Sequence, residues 1–126
     1  MYSAAQVAAS RKVTDAVHAA GGRIFAQLLH TGRIGHPALL PGGLEPAPSA
    51  VAARGQVFTP DGMRGFVTPR ELTEADIRQT VAGRVAAARN AVDAGFDGVE
   101  LHGANGYLIH AAAGPARLTA PRHGTP

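Results

Sequence analysis

Cysteine is absent from the 126-residue chain. That removes disulfides, thiolate metal sites and a cysteine nucleophile, and it leaves the redox compartment open. Tryptophan is absent too, and aromatic residues make up only 5% of the sequence. Burial must therefore come from Ala, Val, Leu and Ile, which remove less area per residue than Phe or Trp, so a thin core is expected. Lysine is nearly absent: of the 12 basic residues only Lys12 is one. The arginines stand singly, without the clustered stripe needed to track a phosphate backbone, so a formal charge of +3 does not imply nucleic acid. No run approaches membrane-spanning length, and the N-terminal residues 1–6 lack a basic region followed by an apolar one. A soluble, cytoplasmic protein of one domain is the expectation, with no membrane partner.

What is present is a pattern of helices, strands and glycine stops. Ser3 and Gln6 form a capping box, and Val7, Val13, Val17 and Ala20 recur at helical spacing up to Gly21 and Gly22, so a helix is predicted over 4–20. Residues 23–29 then read as a short buried strand, with Ile24, Ala26 and Leu28 on one face and Phe25, Gln27 and Leu29 on the other. From His30 to about Arg70 the texture turns to Gly, Pro and Ser. So long a loop is predicted to be functional or to hold a hairpin, around 56–58 and 65–68. Thr73 and Asp76 resemble a second capping box ahead of Ile77, Val81, Val85, Ala88 and Val92, an amphipathic helix ending at Gly95. A second strand over 96–102 follows.

Strands separated by helices indicate a parallel α/β sheet. No Gly-x-Gly-x-x-Gly follows either strand, which counts against a dinucleotide-binding half, and this order alone does not separate a barrel from an open sheet. In either, chemistry sits at the C-terminal ends of the strands. There the second strand runs into a glycine-rich turn with His102, Asn105 and Tyr107, and its Gly98, Glu100 and His102 face opposite to Val99 and Leu101. Two polar residues on one strand face would be costly in a dry core, so that face should look onto a polar interior or a ligand. A core histidine with its bonds satisfied and a turn asparagine beside Gly103 and Gly106 would need no function. The functional alternative is a pair of donors converging on one oxygen, with Tyr107 as a proton source.

The six histidines include no His-Glu-x-x-His and assemble no ligand set, so no metal is expected. His30, Gly32 and Arg33 form a knot after the first strand: an exposed turn, or an anion or cofactor contact through Arg33.

The stretch from Phe25 to Arg33 (FAQLLHTGR), the tetrapeptide Ala47–Ala50 (APSA), Pro69–Thr73 (PRELT) and Ala94–Leu108 (AGFDGVELHGANGYL) resemble, in order and spacing, the FMN-dependent old yellow enzyme family of ene-reductases. The resemblance implies a (β/α)8 barrel, a TIM barrel, of which residues 1–110 would form a part, the third and fourth βα units. It implies FMN as cofactor and NAD(P)H as reductant. It implies further that Gln27 and His102 contact the flavin, that His102 and Asn105 hold the carbonyl or nitro oxygen of an activated alkene, and that Tyr107 protonates its α-carbon. After His110 the family's usual continuation, Gln-Phe-Leu and then Asn-x-Arg-x-Asp, is replaced by Ala111–Arg117 and a Pro- and Gly-rich stretch. Residues 111–126 are therefore expected to be an irregular, divergent tail, as in a truncated or misread product. A full barrel needs ~250 residues. Little activity, weak FMN retention and self-association through open barrel edges are expected of this chain. The alternatives are a non-catalytic interaction remnant and, from a different class, a metal-dependent barrel hydrolase, whose ligands cannot be assembled.

Overall fold

A computed structural model describes residues 3–40, 42, 43 and 46–114. The chain divides into two compact units, one of residues 3–29 and 77–102 and one of residues 30–76 and 103–114.

The first unit is a parallel α/β pair. Helix α1 (Ala4–Ala19) begins at the expected box: Ser3 Oγ accepts from the Gln6 N–H, and the Gln6 side chain accepts from the Ser3 N–H. Helix α2 (Glu74–Asp93) starts on the second box, with Thr73 Oγ1 accepting from the Asp76 N–H and Asp76 accepting from the Thr73 N–H. Both end in the same way. The N–H of Gly22 returns to the Val17 carbonyl, and that of Phe96 to the Ala91 carbonyl, each across a glycine at positive φ.

Strands β1 (Phe25–Leu28) and β4 (Gly98–Leu101) pair in parallel, with Phe25 opposite Gly98 and Gln27 opposite Glu100. A methyl at Gly98 would stand 2.8 Å from the Phe25 ring, so only hydrogen at 98 lets that ring lie across the neighbouring strand. The entry of the pair is clamped by Asp97. Its N–H donates to the Ile24 carbonyl at 2.9 Å, and its carboxylate accepts from the Ile24 N–H, His18 Nε2 and Arg23 Nη1 at 2.9, 2.9 and 2.7 Å. These donors, His18 first, hold the Asp97 carboxyl well below the usual carboxylate range.

A depressed carboxylate pKa contributes stability above the unfolded value, about 3.9, and loses it as pH falls further. The denaturant midpoint should therefore fall with acidification below pH ~4. Asp97→Asn should make that slope shallower without abolishing it, because Asp76, held low by Arg70 and Thr73, titrates in the same direction. Equal slopes in the two proteins would contradict the clamp.

Packing departs from the expectation for α2. Thr80, Arg84, Ala87 and Ala91 form its inward stripe, whereas Ile77, Val81, Val85 and Val92 are exposed. Val99 and Leu101 are exposed too, so the cover expected for them is not supplied within the unit. Fully buried apolar residues of this unit are small, Ala91 and Ala94, beside Thr14. The thin core foreseen from composition is what folds.

In the second unit a hairpin joins β2 (Gln56–Thr59) to β3 (Gly62–Gly65). Its return strand begins three residues earlier than expected because Thr59-Pro60-Asp61-Gly62 makes a tight turn, Thr59 Oγ1 donating to the Gly62 carbonyl. Two short 3-10 turns follow β1, at Gly32–Ile34 and Pro37–Leu39. Arg70 grips Asp76 with both terminal nitrogens, at 2.6 and 3.0 Å. The chain then forms α3 (Leu108–Ala113), a correction to the irregular tail, since residues 111–113 are helical. Residues 115–126 of that tail lie outside the described part.

Candidate functional site

The parallel register decides which side chains share a face. Gln27 and Glu100 are partners, and the register ends at Leu28 and Leu101, one residue before His102. Gln27 and Glu100 are exposed, as expected of a face that looks onto solvent or a ligand. Beyond the strands' C-terminal ends, the Leu28 carbonyl accepts from the His102 N–H at 3.1 Å and from Arg84 Nη1 at 3.3 Å. One acceptor thus holds the backbone of His102 and the tip of an arginine from α2. Arg84 Nη2 is buried with no partner among the described residues. Sequence periodicity did not single out Arg84, since its contact is with a main-chain atom 56 positions away.

The second unit holds Asn105, Tyr107 and the knot after β1. The His30 carbonyl accepts the Leu108 N–H at 3.1 Å, which ties the start of α3 to the segment after β1. His30 Nδ1 accepts from the Gly32 N–H at 3.1 Å. Arg33 sits in the 3-10 turn against α3, with its Nε buried and no partner for it among the described residues. Asn105 and Gly106 both have positive φ, 57° and 77°. The Tyr107 N–H closes this turn on the Ala104 carbonyl at 3.2 Å.

The structure therefore pairs Gln27 with Glu100, ties the His102 backbone to the Leu28 carbonyl just past β4, and separately sets Asn105 and Tyr107 in one tight turn. Among the described residues no group of three His, Asp or Glu is placed to hold a metal ion, and no helix is long and apolar enough to cross a membrane. A groove of about 530 Å³ in the first unit is lined by Ser3, Arg11, Lys12, Asp15 and Asp93 among others, and by none of the site residues.

Taken unit by unit, the Gln27 amide carries both a donor and an acceptor and the His102 ring a further hydrogen-bonding nitrogen in the first, and the Asn105 amide carries a donor and an acceptor in the second. The Tyr107 hydroxyl adds a transferable proton.

A family model described as the NADH:flavin oxidoreductase / NADH oxidase family matches residues 1–115. The chain is 44% identical over 113 residues to 12-oxophytodienoate reductase 7 of Oryza sativa subsp. japonica, covering 86% of this chain and 29% of that protein. It is 45% identical over 115 residues to a probable flavin mononucleotide-dependent alkene reductase of Leishmania infantum, covering 86% and 32%. Among solved structures, the old yellow enzyme homologue from Zymomonas mobilis matches with a TM-score of 0.80 at 47% identity, over 86% of this chain and 30% of that one. Morphinone reductase matches at 0.77 and 43%, over 85% and 30%. The chain spans about three-tenths of the length of these relatives. With residues 1–115 matched by the family model and 86% of the chain matching an old yellow enzyme homologue at 47% identity, the chain belongs to the NADH:flavin oxidoreductase / NADH oxidase family.

Proposed function

We propose that the chain is the part of an FMN-dependent ene-reductase that holds the flavin ring and activates the alkene, corresponding to the third and fourth βα units of a (β/α)8 barrel. The observation that carries this reading is the β1–β4 register, which makes Gln27 and Glu100 partners near the C-terminal ends of parallel strands, with His102 following directly on β4. The donor set fits the cofactor: a primary amide offers one donor and one acceptor to the imide edge of a flavin ring, and His102 lies one strand away. When bound, FMN supplies to the alkene's β-carbon a hydride drawn from NAD(P)H. His102 and Asn105 donate to the carbonyl or nitro oxygen, drawing electron density off the β-carbon and stabilising negative charge as it grows on that oxygen. Tyr107 then gives its hydroxyl proton to the α-carbon, and the phenolate recovers a proton from solvent. The product has one C–C single bond where the alkene was, with one hydride and one proton added. A cytoplasmic location belongs to the same reading.

The isolated chain is expected to retain FMN weakly or not at all. Gln27 lies on, and His102 just after, a two-stranded pair that has no further strand on either side among the described residues, and a ligand gripped on one side only leaves most of its surface in water. The measurement is visible absorbance after gel filtration with added FMN. A stable yellow complex that oxidises NAD(P)H and reduces an enone would overturn the expectation of inactivity.

A second reading, a non-catalytic domain that associates with itself, draws on the exposed Ile77, Val81, Val85 and Val92 of α2 and on Val99 and Leu101 of β4. Light scattering separates the two: the second reading requires a concentration-dependent oligomer without flavin.

A further inference from the structure

The turn that carries Asn105 and Tyr107 is bonded to the helix that follows it. Asn105 and Gly106 are consecutive residues in the left-handed region, at φ 57° and 77°. Asparagine followed by glycine adopts this conformation readily, so the bonds around the turn set how it is held rather than whether it forms. The Tyr107 N–H is bonded to the Ala104 carbonyl, and the Tyr107 carbonyl accepts the Ala111 N–H at 2.8 Å. The remaining amide, that of Gly106, lies between the two side chains of interest. It donates to Nδ1 of His110 at 3.0 Å.

We propose that His110 is a positioning residue for Asn105 and Tyr107, acting through the Gly106 amide. The proposal rests on the roles given to those two residues above. An imidazole that accepts at Nδ1 carries its proton on Nε2, so the clamp requires one tautomer of the neutral ring. The ring is seated at the end of α3, where a methyl at Gly114 would stand 3.6 Å from its Cδ2 and 4.0 Å from its Nε2.

Two other histidines of the same unit accept a backbone N–H at Nδ1: His30 from Gly32, and His36 from Ala38 at 3.2 Å. Each bonds two residues ahead and caps only its own turn. His110 differs in reaching back four residues, out of its helix, to the turn that precedes it. A helix thereby fixes the pitch of a loop with two functional side chains, and the acceptor that does so is placed by α3 itself.

The test exploits isosteres. Asparagine places its side-chain oxygen where Nδ1 stands, whereas glutamine places its oxygen where Nε2 stands. In the isotope-labelled chain, without flavin or alkene, imidazole nitrogen shifts should show His110 as the Nε2–H tautomer. Exchange of the Gly106 amide should speed up about five- to tenfold in His110→Gln and His110→Ala and stay within about twofold of the parent in His110→Asn. The backbone coupling of Asn105 should keep its left-handed value in His110→Asn and average in His110→Gln. Protection of the Ala111 amide, bonded to Tyr107, should persist in all three, which separates loss of the clamp from loss of the helix. An Nδ1–H tautomer, equal Gly106 exchange in the Asn and Gln variants, or joint loss of Gly106 and Ala111 protection would overturn the proposal. A completed barrel carrying this chain that failed to bind flavin or reduce an alkene would instead sink the functional reading and leave these amide measurements standing.

Discussion

Tyr107→Phe is expected to slow alkene reduction by ~10²- to 10⁴-fold, the range over which a positioned general acid acts, in a barrel completed around this chain. The protein to use is a chimera in which residues 3–110 replace the matching stretch of the Zymomonas mobilis homologue, to which the chain is 47% identical. The substitution removes one oxygen and keeps the ring, so packing around the turn is preserved. Flavin binding should be unaffected, because neither Gln27 nor His102 is touched. Oxidation of NAD(P)H by the flavin should also keep its rate, since no proton is delivered to the alkene in that half of the cycle. Only the half-reaction with the alkene should slow, with KM changed far less than kcat, as follows when an interaction made in the transition state is lost. Stopped-flow absorbance of the flavin resolves the two halves. A Tyr107→Phe chimera that reduces an enone at the parent rate would remove Tyr107 from the mechanism.

The chimera also offers neighbours to apolar surface that the described residues leave exposed. Periodicity correctly located α2 and both of its ends, since a capping box and a glycine stop are local signals. It misjudged which stripe would be buried. Ile77, Val81, Val85 and Val92 are the more apolar set, yet the smaller stripe of Thr80, Arg84, Ala87 and Ala91 turns inward. A period identifies an apolar face but not the partner for it. The larger stripe, together with Val99 and Leu101, is the area that further helices and strands would cover.

Legibility of the site divides along the same line. Alternation along β1 was enough to set Gln27 apart from Leu28, and the register makes Gln27 the partner of Glu100; β4 ends one residue before His102. Arg84 and Asp97 could not be found that way, for their partners lie 56 and 73 to 79 positions off in the chain. His110 was passed over because its bond is to a backbone amide, which no residue pattern encodes. Helix α3 has six residues and opens on a residue without a capping side-chain bond, so it offered neither a period nor a start signal.

Gly95→Ala is the substitution with the largest expected cost to folding. Gly95 sits at φ +86°, and a Cβ there would stand 2.8 Å from Thr14 Oγ1. The left-handed backbone costs alanine about 1–2 kcal/mol. The collision adds about 1–3 kcal/mol, the usual cost of overpacking, because Thr14 is fully buried and its hydroxyl, 2.6 Å from the Ala94 carbonyl, has nowhere to retreat. Gly21→Ala isolates the first of these costs. Gly21 ends α1 at φ +77° with open space where its Cβ would go. Denaturant unfolding should therefore rank the parent above Gly21→Ala and Gly21→Ala above Gly95→Ala. A double-mutant cycle then assigns the difference: Thr14→Ala alone leaves the Ala94 carbonyl without its donor and destabilises by about 1–3 kcal/mol. Combined with Gly95→Ala it should cost less than the sum of the two, since the hydroxyl that alanine would strike is gone. Additive costs would mean that Thr14 and Gly95 are not in contact. The parallel pair that presents Gln27 and His102 would then depend on the helix stop at Gly95 through its backbone alone.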